Sequence, residues 1–186
     1  MNHWKCTLPE GQRGQVAIVR FAVSVADSQL TALRREYVPS GEYTRLEVDG
    51  QLVMSDTPKE RTDHLDLFWR AKGHVLLNGL GLGCCLNVVL HNPEVERVTV
   101  IEKDADVVEL VGQHFPQVEI ICADALEWKP PRDIRYGAVW HDIWANVCLD
   151  NLPEMHHLHR KYGRKTDWQG SWSRNELNSI ARKEKP

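Results

Sequence analysis

His74-Val75-Leu76-Leu77-Asn78-Gly79-Leu80-Gly81-Leu82-Gly83-Cys84-Cys85-Leu86-Asn87-Val88-Val89-Leu90 is the stretch that decides the fold. A short apolar run, a glycine cluster and an apolar pattern at helical spacing follow one another. That order predicts a strand over 74–78, a tight loop over 79–83 and a helix over 84–91, with Leu86, Val89 and Leu90 inward. Glycines let the backbone turn sharply and meet a ligand with no Cβ in the way. The start of the following helix offers unpaired N–H groups and a positive dipole end, which suit a carboxylate or phosphate. The dinucleotide fingerprint G-x-G-x-x-G needs its third glycine at position 84, where Cys84 stands; the third glycine comes one residue early, at Gly83.

Downstream the alternation continues. Strands are expected at 97–101, 118–122 and 136–141, with a helix capped by Asp104 that carries Val107, Val108, Leu110 and Val111. Strands alternating with helices predict a doubly wound, mostly parallel sheet, which binds ligands beyond the carboxyl ends of its strands. Three acids fall at those ends. Glu102 lies 19 residues after Gly83, placed to accept both hydrogen bonds of a ribose diol, with Lys103 beside it. Asp124 follows the third strand among Cys122, Ala123 and Ala125, small enough to admit a flat ring whose exocyclic amine it would accept; it would also cap a helix over 125–129. Asp142 ends the fourth strand, crowded by Trp140, His141 and Trp144, surroundings that raise a carboxyl pKa and suit proton acceptance or the steering of a cation.

Upstream, residues 1–12 read as a loose lead-in and 15–25 as a strand, followed by a short helix capped by Asp27. Asp49-Gly50 between two alternating runs predicts a hairpin within 43–55, because a type I′ turn needs positive φ at both central positions. Thr57-Pro58-Lys59-Glu60 has the form of a capping box, opening a helix that ends near Gly73. After Asp142 the pattern weakens: a helix over 151–162, a broken segment with Trp168 and Trp172, a last short helix, and only a faint fifth strand at 144–149.

The bulk composition excludes little. The chain has 186 residues, 42% of them hydrophobic and 26% charged, with net charge −3. From Arg160 to Pro186 eight basic side chains stand against three acidic ones, a net +5. That basic stretch, interleaved with Tyr162, Trp168 and Trp172, would either cover the sheet edge or stack on single-stranded nucleic acid; covering is the favoured role. Five cysteines (Cys6, Cys84, Cys85, Cys122, Cys148), odd in number and two adjacent, do not form a disulfide framework, and a reducing cytoplasm is expected. No apolar run has the length of a membrane span. Cys84 and Cys85 are expected to pack under the glycine loop, and His156, His157 and His159 to lie on a solvated helix face, so no metal site is expected.

Taken in order, Gly79 to Gly83, Glu102, Asp124 and Asp142 resemble the class I S-adenosylmethionine-dependent methyltransferases, whose loop is spaced G-x-G-x-G. The spermidine synthase-like branch is the most similar: it carries L-x-L-D-G in a hairpin ahead of the nucleotide domain, matched here by Leu46-Glu47-Val48-Asp49-Gly50, and the span from Glu94 to Leu110 is also similar. The resemblance covers about residues 43 to 145. It departs at Val53, where aminopropyl transferases carry glutamine, and at Asp142-Ile143-Trp144-Ala145, where they carry D-x-x-D. Members also add strands five to seven, whereas about 40 residues follow Asp142 here.

The resemblance implies an α/β, Rossmann-like methyltransferase fold, C-terminally truncated, behind a small β-rich module. The expected organisation is a module over 1–56, an S-adenosylmethionine-binding domain over 57–150 and a helical, basic extension over 151–186. It implies S-adenosylmethionine as cofactor, held by Gly79, Gly81, Gly83, Glu102, Lys103, Asp124, Ala125 and Asp142, with Asp142 and His141 as catalytic candidates. The function is then a methyltransferase of unknown acceptor; a non-catalytic binding module or partner subunit, and a spermidine synthase-like aminopropyl transferase, are the alternatives. A small-molecule ligand is the expected partner, with a homodimer and nucleic acid at the basic tail left open.

Overall fold

The computed structural model describes residues 3–34 and 37–183. Its first part is an antiparallel sheet of four strands in sequential order: β1 (Gly11–Arg13), β2 (Val16–Val23), β3 (Gly41–Val48) and β4 (Gln51–Ser55). Helix α1 (Val25–Leu33) interrupts it. The Asp49-Gly50 turn forms as its chemistry demands, with φ of 53° and 70°. The cap of α1 is Ser24 rather than Asp27: Asp27 sits three residues into the capping box, its backbone N–H donating to Ser24 Oγ. The expected loose lead-in is packed instead. Trp4, Cys6 and Leu8 alternate inward, and Trp4 Nε1 donates to the Thr57 carbonyl at 3.0 Å.

The expected single helix after Thr57 is two, α2 (Pro58–Asp63) and α3 (Leu65–Arg70), broken at His64. Thr57 makes no side-chain cap bond. Glu60 is drawn away to Ser55, accepting from its N at 2.6 Å and its Oγ at 2.5 Å.

The second sheet follows: β5 (Gly73–Asn78), α4 (Cys84–Leu90), β6 (Val95–Glu102), α5 (Ala105–Val107) running into a π-helical turn over Val108–Gly112, β7 (Glu119–Cys122), β8 (Tyr136–His141), α6 (Asn151–Tyr162), β9 (Thr166–Ser171) and α7 (Arg174–Lys183). Asp104 caps α5, accepting from the N–H groups of Asp106 and Val107. The strand order is β7-β6-β5-β8-β9 and every pair is parallel. This is a Rossmann-like, doubly wound α/β sheet: the chain winds outward from β5 through β6 to β7, then crosses back to β8, so the switch point lies between β5 and β8.

The fifth strand lies in the segment expected to be helix and loop, not at 144–149, which is irregular. Residues 164–172 therefore do not cover an open edge as an appendage; they build one more strand onto it. Both faces of β5 are buried, with Val75, Leu76 and Leu77 at 0–1% exposure, as a central parallel strand requires. On one face Leu77, Val100, Ala138 and Trp140 share a core with Val16, Ile18 and Leu46 of the antiparallel sheet. On the other, Leu76, Ile101 and Val139 pack against Leu158 and Tyr162 of α6. Among the described residues no helix is long and apolar enough to cross a membrane.

Candidate functional site

Parallel strands in step bring their carboxyl ends together. Asn78 pairs with Ile101 and with His141, and Glu102 with Cys122, so the residues just beyond share one rim. A cavity of about 580 Å³ opens there, within the range of small-molecule sites. Gly79, Gly81, Glu102, Lys103, Asp124, Ala125 and Asp142 all line it; of the expected set, Gly83 and His141 do not. Its far wall comes from the first half of the chain: Leu46, Val48, Val53 and Met54 of the hairpin, and Glu60 and His64 around α2.

The glycine loop is tighter than expected. Gly79 has φ of 106°, and a Cβ there would fall 2.0 Å from the Asp142 carbonyl oxygen. At Gly81, φ is 50° and a Cβ would meet Met54 Sδ at 2.2 Å. The same sulfur accepts the Leu82 N–H at 2.9 Å. Gly83 serves packing, since a Cβ would strike the Phe115 ring at 2.6 Å. Much of the bared backbone is thus approached by the protein's own atoms.

Glu102 is fixed by two backbone donors, Leu80 N to Oε2 and Asp104 N to Oε1, both at 2.9 Å. Each oxygen keeps a further lone pair for a ligand. Asp124 Oδ1 accepts from Leu126 N at 2.7 Å and heads a turn, not the expected helix.

Asp142 faces the cavity with its side chain 26% exposed. Burial, then the negative charges of Glu60, Asp63 and Glu102, push its carboxyl up to about 7. Burial also lifts Glu60 to about 7, against the pull of its bonds to Ser55. Beside Asp142 lies His64, 1% exposed and pushed by burial down to about 3. Its Nε2 is 3.8 Å from Asp142 Oδ2, too far for a hydrogen bond, and a neutral ring forms no ion pair.

His141, the expected partner of Asp142, points the other way. Side chains of a strand alternate, so Trp140 takes the cavity side and His141 the side of α6. It is fully buried, its Nδ1 facing Asn78 Nδ2 at 2.7 Å and its Nε2 facing Gln169 Oε1 at 3.3 Å. Asn78 donates to Nδ1, so the network assigns the ring proton to Nε2. Burial holds the ring near a pKa of about 3. It serves as a packing and hydrogen-bonding group between β8 and β9.

Sequence reasoning missed His64, Glu60, Cys85 and Met54. Glu60 was absorbed by the capping-box reading and Cys85 by packing; His64 carries no spacing signal, since it meets the site only through the break between α2 and α3. The histidines of α6 also divide: His156 and His157 are exposed, but His159 Nε2 lies 2.9 Å from Ser171 Oγ of β9.

No protein-family model matches the chain, and no curated protein matches it. Among solved structures it is similar to the 23S rRNA methyltransferase ErmE, at 17% identity over 55% of this chain and 40% of that one, with a TM-score of 0.43. It is also similar to the N-methyltransferase NodS from Bradyrhizobium japonicum WM9 (14% identity, 57% of this chain, 62% of that one, TM-score 0.46). The plantazolicin methyltransferase BpumL in complex with SAH is a third (14% identity, 64% of this chain, 47% of that one, TM-score 0.45). The chain spans between about two-fifths and three-fifths of the length of these structures. At such scores the fold assignment rests on strand order and direction, not on these likenesses.

Proposed function

We propose that the chain binds S-adenosylmethionine at the tips of β5 to β8 and transfers its methyl group to an acceptor that enters beside Asp142. The observation that carries this is the convergence of the glycine loop and three strand-end acids on a single cavity of about 580 Å³. In this reading Glu102 takes the ribose hydroxyls. Asp124 takes the adenine amine, with Ala123 and Ala125 flat beneath the ring. Gly79, Gly81 and Lys103 lie along the remainder of the ligand. Methyl transfer from a sulfonium asks the protein for alignment and for exclusion of water more than for covalent help. Asp142, with its carboxyl lifted to about 7, accepts or steers a proton there.

Titration of the purified chain with S-adenosylmethionine and with S-adenosylhomocysteine by calorimetry tests the binding half. One equivalent of either is expected; absence of saturable binding sinks the reading. Transfer of a labelled methyl group to candidate acceptors tests the catalytic half.

Met54 favours a second reading, a binding module without turnover. It covers Gly81 and takes the Leu82 N–H that a ligand carboxylate would otherwise use. Binding without any labelled product supports it. The aminopropyl-transferase alternative draws on the acids Glu60, Asp142 and Glu154 around the cavity, which suit an amine, but Ala145 stands where that branch carries its second acid. Decarboxylated S-adenosylmethionine with putrescine decides it.

A further inference from the structure

Asp142 has two neighbours that the adenosine reading leaves unused. One donor atom each from His64, Cys85 and Asp142 lie within 4.8 Å of one another. They come from three separate elements: the break between α2 and α3, the first turn of α4, and the tip of β8. All three line the cavity. We propose that they form a mononuclear zinc site with three protein ligands and a fourth position open to the cavity.

The spacing fits the ion. Zinc bonds of about 2.0–2.3 Å in tetrahedral geometry set neighbouring donors roughly 3.3–3.8 Å apart. His64 Nε2 and Asp142 Oδ2 already stand at 3.8 Å, and the remaining separations are bounded at 4.8 Å. Rotamer adjustments close the difference. The donor set is one imidazole, one thiol and one carboxylate. Magnesium and calcium require oxygen ligands, whereas zinc accepts nitrogen, sulfur and oxygen together.

His64 in particular lacks another explanation. Buried polar groups are normally hydrogen-bonded. Among the described residues His64 Nδ1 is buried with no partner, and Nε2 stops short of the carboxylate. A dication between the three donors would give Nε2 the partner it lacks, while Nδ1 keeps the ring proton. On its other side the His64 ring has an aromatic shell, 5.3 Å from Trp4, centroid to centroid, and 5.7 Å from Trp140. Such a shell limits competition from water. No ligand pair stands closer in sequence than His64 and Cys85, 21 positions apart, and no C-x-x-C is present, which is why spacing alone points to no metal. The open position would take a sulfur or oxygen donor, either water or the thiol or hydroxyl of an acceptor, and favour its deprotonated form. The site shares Asp142 with the methyl-transfer reading: with zinc bound, its carboxylate holds the ion rather than a proton, and the rest of the adenosine half is untouched.

The test uses the full chain, stripped with a chelator and titrated with Zn²⁺ by competition calorimetry, and in parallel with Co²⁺ followed by absorption. One equivalent is expected, with a thiolate-to-cobalt charge-transfer band. Cys85→Ser should remove the band and weaken zinc binding at least about 100-fold, while Cys122→Ser, at an exposed cysteine, leaves both unchanged. Circular dichroism of each variant checks folding. Should Cys85→Ser fail to fold, Asp142→Asn, whose side chain reaches the open cavity, carries the comparison with the same expected loss of affinity. Absence of saturable binding overturns the site. So does a cobalt band that survives Cys85→Ser, or zinc affinity unchanged in Asp142→Asn. S-adenosylmethionine is titrated separately into the zinc-free chain, so failure of one proposal is read apart from failure of the other.

Discussion

At the scale of single residues, position 79 shows how geometry rather than composition sets a cost. Gly79 and Gly50 both hold positive φ, of 106° and 70°. Around Gly50 a Cβ would meet nothing within 4 Å; at Gly79 it would meet a backbone carbonyl at 2.0 Å, which no side-chain rotation relieves. Gly50→Ala should therefore cost about 1 kcal/mol, the backbone strain alone. Gly79→Ala should cost about 3 kcal/mol and push Asp142 out of place. Urea unfolding of the two variants checks the difference; equal losses would mean that the β5 turn is looser than described. Glu102 makes a complementary case. Glu102→Ala strips acceptors from the N–H groups of Leu80 and Asp104, so we expect a loss of about 2 kcal/mol in stability. Affinity for S-adenosylmethionine should fall at least about tenfold, because the remaining lone pairs go as well. Glu102→Gln, which keeps one acceptor oxygen, should fall between. Unchanged calorimetric affinity in both variants would remove Glu102 from the proposed binding site.

At the scale of elements, β8, β9 and α6 form a layer in which histidines are held neutral. Burial, then the charges of Arg174 and His156, lowers His159 to about 4, below its ordinary 6.5. As pH falls, the unfolded chain takes up this proton first, so the stability it contributes is complete above about pH 6.5 and is lost between there and about pH 4. His64 and His141 act in the same direction; Asp142 and Glu60, raised to about 7, act in the opposite one over the same window. The whole-chain profile is thus a compensation, and a variant isolates one contribution. His159→Gln should melt at or below the parent at pH 7.5 and gain on it steadily down to pH 4.5. A constant gap between the two melting curves would show that His159 is solvated.

Elements differ in how readable they are for the same physical reason. β5 and β8 announce themselves because central parallel strands must be apolar on both faces. β9, Thr166-Asp-Trp-Gln-Gly-Ser171, has the composition of a loop. Its place is set by backbone pairing to β8 and by Trp168 stacking on Trp140 at 6.1 Å, information held in another part of the chain. Gly170, opposite Trp140, is where a Cβ would strike that indole at 2.7 Å. The strand-end acids were legible because a strand's end fixes where its next residue goes. The pleat turns His141 away from Asp142, one step from where the sequence puts it, and His64 goes unread because a helix break that no spacing rule marks brings it to the site.

At the scale of the molecule, the basic C-terminal stretch is where two readings diverge most. As an arm for nucleic acid it would carry free charge and be dispensable for folding. The structure instead ties part of that charge down. Lys161 Nζ donates to the carbonyls of Ala125 and Leu126, and Lys165 Nζ to those of Pro131 and Arg132. Arg135 reaches from β8's approach to Asp167 at 2.7 Å. Leu177 of α7 is 1% exposed. Removing residues 164–186 would leave β8 with unpaired backbone along its length, His141 without Gln169, His159 without Ser171 and Trp140 without its stacked partner. A bare edge beside a buried tryptophan invites association. We therefore expect the truncated chain to lose its near-ultraviolet circular dichroism and its cooperative melt, or to aggregate, at concentrations where the full chain stays monodisperse. A truncated chain that melts like the parent and loses only salt-dependent retention on single-stranded nucleic acid would return the segment to the role of an arm, and β9 would have to be struck from the sheet.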